Sequence, residues 1–323
     1  MMKAAVYYQT GGPEVLRYED VPDPVCAPNG VVIEIRAIGI EGGDVGNRAR
    51  GMMASRPHIV GYNCAGIVRD VGAQVKDRKV GDRVTALMFN GSHAERAAVA
   101  AAQTWLVPES LSLEHAACVP VAWGTAHDCL FEFGHLRAGE TVLIQAGGSG
   151  VGLACVQLAK RAGATVFATA GSKEKIERLR ALGVDHGIAY RDVDFVEAVQ
   201  KLTGNKGVNL VVDAVGGDTL QRSLLCLGYR GRAITVGNSS RGDMKLDPSP
   251  LAPGNRSLTG VFFGAEVALA TARVRAMLDS LLADLAKGEL QVIIDRRFPL
   301  AEAAAAHALM ESSAHIGKIV LTI

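Results

Sequence analysis

The chain has 323 residues, with 34 basic against 33 acidic side chains and 49% hydrophobic residues, the make-up of an ordinary globular protein long enough for two domains. The near-zero balance, with no basic stripe or interleaved aromatics, argues against a nucleic-acid partner, and no apolar run reaches transmembrane length. Six scattered cysteines (Cys26, Cys64, Cys118, Cys129, Cys155, Cys226) form no C-x-x-C pair, which argues against a disulfide framework or a structural zinc knot.

The opening MMKAAVYYQTGG lacks the basic-then-apolar layout of a signal peptide, so a cytoplasmic protein without membrane contact is the expectation. Short strands follow at 4–8 and 15–18, around Gly11-Gly12-Pro13. Further strands are expected at 31–38, 65–71, 93–99 and 105–107. Short strands broken by turns at this spacing predict a mostly β domain of barrel type.

Apolar residues take helical spacing over 113–133. Strands then alternate with helices: strand 141–145, helix 151–162, strand 165–169, helix 173–181, strand 187–190, helix 195–202, strand 209–213, helix 219–227 and strand 233–236. Apolar strands joined by helical crossovers predict a doubly wound parallel sheet. A Gly/Pro/Ser-rich stretch, 238–255, reads as a long surface loop. Beyond it come strand 258–263, one long helix from about 266 to 287, strand 292–298, helix 301–312 and strand 318–323. The last strands can return to the first domain.

The strongest motif is Thr-Val-Leu-Ile-Gln-Ala-Gly-Gly-Ser-Gly-Val-Gly, residues 141–152. A strand runs into glycines and directly into an apolar-periodic helix. Glycines permit a tight turn and let backbone N–H groups approach a pyrophosphate, whose charge the helix start favours. With the following strand about twenty residues on, the context is that of a dinucleotide site. Gly148, Ser149, Gly150, Val151 and Gly152 are the expected contacts.

The end of the second strand selects the cofactor. An NAD site places Asp or Glu there for the ribose hydroxyls. This chain has Thr169-Ala170-Gly171-Ser172-Lys173-Glu174-Lys175, with no carboxylate at the strand end. The Ser172 hydroxyl and the ammonium groups, Lys175 foremost, suit a 2′-phosphate, so NADPH is expected. Charge-assisted hydrogen bonds contribute roughly 1.5–3 kcal/mol each, enough for a preference of about a hundredfold.

Taken together, these features resemble the medium-chain dehydrogenase/reductase superfamily, and within it the zinc-independent NADPH:quinone oxidoreductases, the ζ-crystallin-like branch. The resemblance covers nearly the whole chain. It rests on Gly61-x-x-x-x-Gly66, Val80-Gly81-Asp82-Arg83-Val84, the glycine turn, Val212-Asp213-x-Val215-Gly216-Gly217 and Gly317-Lys318-Ile319-Val320-Leu321. It implies an α/β protein: a GroES-like β-barrel catalytic domain at 1–118 and 264–323, and a Rossmann NADP-binding domain at 119–263. A homodimer extending the nucleotide-domain sheet through strand 258–263 is implied as well.

Zinc relatives carry Gly-x-Cys-x-Thr-Asp and then Gly-His-Glu. Here the segments read Gly39-Ile40-Glu41-Gly42-Gly43-Asp44 and Gly61-Tyr62-Asn63. Glu41, Tyr62 and Asn63 replace the cysteine, histidine and glutamate, and Gly43 replaces the hydroxyl of the proton relay. A catalytic zinc needs about three protein ligands, so no metal is expected. Without one, activated acceptors fit best: quinones and α,β-unsaturated carbonyls. Such a reaction needs a donor at the developing oxyanion. The resemblance puts Glu41 beside the nicotinamide and Tyr62 near the old metal site. Tyr62 is the candidate donor to the substrate oxygen, with Glu41 tuning or relaying the proton. The bland alternatives are a solvated Glu41 at a cleft rim and a Tyr62 that packs as wall.

By position in the family, Thr125 lies under the nicotinamide, Tyr190 near the 2′-phosphate, and Gly216, Gly237 and Asn238 along the cofactor. Phe262, Phe263, Gly264 and Lys318 approach its nicotinamide end. His115 and His127 read as structural, and Arg241, Lys245 and Arg256 as solvated charges. Two further functions stay open: an enoyl-thioester reductase, or a catalytically silent cofactor-binding protein of the same fold.

Overall fold

A computed structural model describes every residue except 241 and 244, so Arg241 lies outside the described residues. The chain forms two compact units, Met1–Ala122 with Leu269–Ile323, and Trp123–Ala268.

The first unit opens with β1 (Met2–Tyr7), β2 (Arg17–Val21), β3 (Gly30–Gly39), α1 (Gly42–Arg50), β4 (His58–Ile59), β5 (Asn63–Val71), β6 (Arg83–Leu87), β7 (Arg96–Ala100), β8 (Thr104–Leu106) and α2 (Leu113–Ala116). Strand β1 pairs antiparallel with β2 and with β4. The β-branched β3 is the hub of the larger sheet, antiparallel to β5 on one side, with β7 joined to it as well. Ile33, Ile35, Val68, Val84 and Val99 pack into its core. The second strand begins at Arg17, later than its apolar pattern suggests, because Pro13–Val15 forms a 3₁₀ turn.

Helix α1 has no counterpart in the sequence reading. Its three glycines, Gly42, Gly43 and Gly46, each disfavour helix by about 1 kcal/mol relative to alanine. Tertiary contacts override them. The Glu41 N–H donates to Asp44 Oδ2 at 2.8 Å, and Asp44, Val45 and Arg48 are buried.

The expected helix 113–133 is broken. Pro120 cannot donate to a preceding turn, so it starts a new helix, α3 (Pro120–His127), which runs into a π turn at Asp128–Glu132. The second unit continues with β9 (Thr141–Ile144), α4 (Gly150–Arg161), β10 (Thr165–Ala170), α5 (Lys173–Arg180), β11 (His186–Ala189), α6 (Phe195–Leu202), β12 (Val208–Asp213), α7 (Gly217–Ser223), β13 (Leu227–Thr235), β14 (Ser257–Gly260) and α8 (Phe263–Leu269). Its six strands are all parallel, in the order β11-β10-β9-β12-β13-β14. The strand order reverses between β9 and β12, and ligands bind outside the strand C-termini at such a switch point. Strand β13 starts earlier than expected and α7 ends earlier, with a 3₁₀ turn at Leu224–Cys226 between them.

The expected helix 266–287 is two helices. Ala270 (φ −119°, ψ 38°) leaves helical geometry, separating α8 from α9 (Thr271–Lys287). The tail ends with β15 (Ile294–Pro299), α10 (Ala303–Ser312) and β16 (Lys318–Thr322). Strand β16 pairs antiparallel with β3 and parallel with β15, which returns the C-terminus to the first unit's sheet. Arg256 is not a solvated charge: it is half-buried and donates to the carbonyls of Gly228, Leu224 and Pro250. Lys245 is exposed. Five of the six cysteines are buried and none is bridged. Among the described residues no helix is long and apolar enough to cross a membrane.

Candidate active site

In the first unit, the end of β3 and the start of α1 meet β5 and β16 in a buried polar cluster. Glu41 is 7% exposed, so it is not at a solvated rim. Its Oε1 accepts from Asn63 Nδ2 at 2.6 Å and lies 2.5 Å from Lys318 Nζ. Lys318, itself buried, also donates to the Ile40 carbonyl at 2.6 Å. Its ammonium is thus shared between Glu41 and backbone. Tyr62 stands over Gly43: a Cβ on that glycine would lie 2.4 Å from the tyrosine ring. Asn47, one turn along α1, donates to the Tyr62 hydroxyl at 2.7 Å. No described residue accepts the phenol proton, which is left for another acceptor.

Burial pushes the Glu41 carboxyl up, against the Lys318 charge and the hydrogen bonds from Lys318 and Asn63. Burial also raises the Tyr62 phenol, helped by the nearby Asp44 carboxylate, so the hydroxyl keeps its proton. Asp44 is pushed up to about 8, mainly by burial. The folded state therefore holds a proton on Asp44 between the ordinary 3.8 and about 8, where the unfolded chain has lost it. Stability must fall as pH rises through that window. Asp44→Asn is expected to remove this contribution, by up to about 1.4 kcal/mol per pH unit. Urea unfolding of both proteins from about pH 5 to pH 8 checks it; parallel declines would refute the assignment.

In the second unit, the turn after β9 is tight. Ala146 sits at φ 51°, and a Cβ on Gly152 would lie 2.4 Å from its carbonyl oxygen. Strand and helix therefore approach as only glycine allows. Ser149 caps α4, accepting from the Gly152 N–H at 3.0 Å. Gly148 lies within the turn, which the Ser149 N–H closes on the Ala146 carbonyl at 2.9 Å, and the N–H groups of Gly150 and Val151 stand at the open helix start.

Beyond β10, Ser172 caps α5 by accepting from the Lys175 N–H at 3.3 Å. Beside it, a Cβ on Gly171 would lie 3.5 Å from the Tyr190 hydroxyl and 3.6 Å from the Arg191 guanidinium. Ser172, Tyr190 and Arg191 thus gather at one strand end. Arg191 was not singled out from sequence; it directly follows Tyr190, and a cation one residue past the strand end was the available signal. Asp44 and Asn47 were also missed, because the helix that presents them was not expected.

The remaining positions divide. Thr125 is buried beside Gly124, against which the Phe263 ring packs. Phe262 is exposed, with its ring over Gly264. Gly216 (φ 76°) and Gly237 (φ 84°) turn the chain after β12 and β13. The Asn238 side chain is held in its own loop, donating to the Gly242 carbonyl and accepting from Ser240. His115 bonds Ser112, and His127 packs edge-on against Phe131. Among the described residues, no group of three or more His, Cys, Asp or Glu could hold a metal ion.

Two family profiles match this architecture: the alcohol dehydrogenase GroES-like domain over residues 27–109, and the zinc-binding dehydrogenase over 150–283. The 2-haloacrylate reductase of a Burkholderia species is 35% identical, covering 99% of this chain and 99% of its own length. The quinone oxidoreductase of Sus scrofa is 31% identical over 100% of this chain and 98% of its own. The crystal structure of Escherichia coli quinone oxidoreductase complexed with NADPH matches with a TM-score of 0.93 at 30% identity, over 99% of this chain and 100% of that one. Other relatives are longer. The chain spans 65% of the Danio rerio synaptic vesicle membrane protein VAT-1 homolog and 14% of Mycobacterium phthioceranic/hydroxyphthioceranic acid synthases. A GroES-like domain joined to a doubly wound nucleotide-binding domain defines a medium-chain dehydrogenase/reductase. Within that superfamily, this chain belongs to the quinone oxidoreductase family.

Proposed function

We propose that the chain is an NADPH-dependent, zinc-independent reductase of quinones or α,β-unsaturated carbonyls. The observation that carries this reading lies in the second unit: the glycine turn with its open helix start, and Ser172, Tyr190 and Arg191 gathered at the strand end where an NAD site would hold a carboxylate, with Lys175 the further cation proposed there. The relative crystallised with NADPH and the relatives named quinone oxidoreductase and 2-haloacrylate reductase support it. The proposal assigns catalysis to residues 1–118 and 264–323 and nucleotide binding to 119–263.

Bound NADPH would supply the hydride. The Gly150 and Val151 N–H groups, with Gly148, Ser149 and Gly152, would hold its pyrophosphate, and the Ser172–Arg191 group its 2′-phosphate. Thr125, Gly216, Gly237, Asn238, Phe262, Phe263 and Gly264 complete the proposed contacts. Tyr62 donates its proton-bearing hydroxyl to the substrate oxygen, and Asn47 fixes the direction of that donor. Glu41, held by Lys318 and Asn63, tunes the surrounding charge. The residues at the old metal position do not fit zinc. Lys318 already neutralises the one carboxylate among them, and Asn63 turns an N–H rather than a lone pair toward it.

NADPH consumption over a panel of quinones, enones and enoyl thioesters tests the reading. Turnover of the first two supports it. Turnover of thioesters alone favours an enoyl-thioester reductase, and none at all a silent binding protein. Tyr62→Phe is expected to lower kcat about a hundredfold on a good enone, with KM little changed. Arg191→Ala is expected to cut the NADPH-over-NADH preference roughly tenfold in binding titrations; an unchanged preference would remove Arg191 from the cradle. A cytoplasmic homodimer completes the proposal. In its favour, among the described residues β14 pairs with β13 alone and leaves an open sheet edge. A monomer in sedimentation experiments would overturn it.

A further inference from the structure

Beneath the glycine turn runs a buried polar chain to which the proposed chemistry gives no role. The Ala146 N–H donates to Thr169 Oγ1 at 3.2 Å. The Thr169 hydroxyl donates to Gln145 Oε1 at 2.6 Å, and Gln145 Nε2 donates to Ser223 Oγ at 3.0 Å. The Ser223 hydroxyl donates to Asp213 Oδ2 at 3.1 Å. The other oxygen, Asp213 Oδ1, accepts the N–H groups of Val215 and Gly216, each at 2.8 Å. Gln145, Thr169, Ser223 and Asp213 are all at most 3% exposed.

Three properties set this chain apart from ordinary core satisfaction. It joins the turn after β9 to the turn after β12, the two flanking the switch point of the sheet. Its hydrogen bonds all run one way, toward the carboxyl: Ala146 N–H to Thr169, Thr169 to Gln145, Gln145 to Ser223 and Ser223 to Asp213, whose other oxygen takes two main-chain N–H groups. And its sink is a buried carboxylate that no lysine or arginine pairs with among the described residues. An apolar core would have been cheaper than a buried carboxyl held by hydrogen bonds alone. The arrangement is explained if its product is the relative placement of the two turns.

We propose that Gln145, Thr169, Ser223 and Asp213 are positioning residues for the dinucleotide, a single directed hydrogen-bond chain that sets the β9 turn and the β12 turn in the register the ligand needs. The proposal rests on the nucleotide reading above. Ser223 lies on α7, outside the glycine turn, yet its hydroxyl is needed for the turn to be set. Breaking any one link frees the turns, so a second break adds little.

The test is titration with NADPH of the full-length protein and of Ser223→Ala, Gln145→Met and the double variant, with unfolding curves for each. Each single variant is expected to bind roughly tenfold more weakly and the double variant no more than about twofold worse than either single one. Turnover at saturating cofactor is expected to stay within about twofold. Thr169→Val, which keeps shape but loses the hydroxyl, is expected to weaken binding, and Thr169→Ser to restore it. Unchanged affinities, fully additive losses, or a Thr169→Ser variant no better than Thr169→Val would overturn the proposal, even if all variants lose stability. If the parent prefers NADH, the cofactor choice above falls, and the same series run with NADH decides this proposal. A parent that binds neither overturns both.

Discussion

Gly152→Ala is expected to weaken dinucleotide binding by at least about a hundredfold while the protein stays folded. The added methyl would lie 2.4 Å from the Ala146 carbonyl oxygen and 2.8 Å from both Gly147 Cα and the Gly147 carbonyl oxygen. All three are backbone atoms of the turn, so no side chain can swing aside. The turn has little freedom left, since Ala146 already occupies the left-handed region at φ 51°. Relief must come from moving the glycine turn off the helix start, which pulls apart the N–H groups that would surround the pyrophosphate. Cofactor titration with circular dichroism measures both halves of the expectation. Parent-like affinity would mean that the close strand–helix approach is not what forms the cradle.

Lys318→Met is expected to cost about 3–5 kcal/mol of stability, the largest effect outside the glycine turn. The substitution keeps the side chain's length and removes the ammonium 2.5 Å from Glu41. It leaves a buried carboxylate with Asn63 as its one remaining side-chain donor, and an Ile40 carbonyl without its lysine. Adding Glu41→Gln is expected to restore much of the loss, because a neutral amide needs no countercharge. Urea unfolding of the parent, both single variants and the double variant yields the coupling directly. A loss under about 1 kcal/mol for Lys318→Met would show the pair to be solvated.

What the sequence made legible was local. The glycine turn is a contiguous run between a strand and a helix, and its capping serine stands where the motif puts it. The alternating strands and helices of the second unit follow from short-range periodicity, and the parallel order follows from their alternation. That Glu, Tyr and Asn stand at 41, 62 and 63, rather than cysteine, histidine and glutamate, was visible by position. What stayed hidden depends on contacts far apart in the chain. The lysine that neutralises Glu41 reaches back 278 positions to the neighbouring Ile40 carbonyl. Helix α1 forms against its own propensity because Asp44, Val45 and Arg48 are buried by other elements. No Gly or Pro marks the break at Ala270, and Arg256 looked solvated until the carbonyls it anchors were brought beside it. Arg191 was adjacent to a named residue, but only the fold turns both toward Gly171.

The ring of Tyr62 over Gly43 also constrains how this site can change. A side chain at position 43 would meet the tyrosine ring at 2.4 Å, so the small residue and the large one are interdependent. A hydroxyl-bearing residue introduced at 43 first would evict the aromatic ring and sever its bond to Asn47 before any new ligand stood at 62. Shrinking position 62 first leaves a hole but no collision. Any mutational route between this site and a metal-ligating one therefore has a preferred order, with position 62 leading and position 43 following.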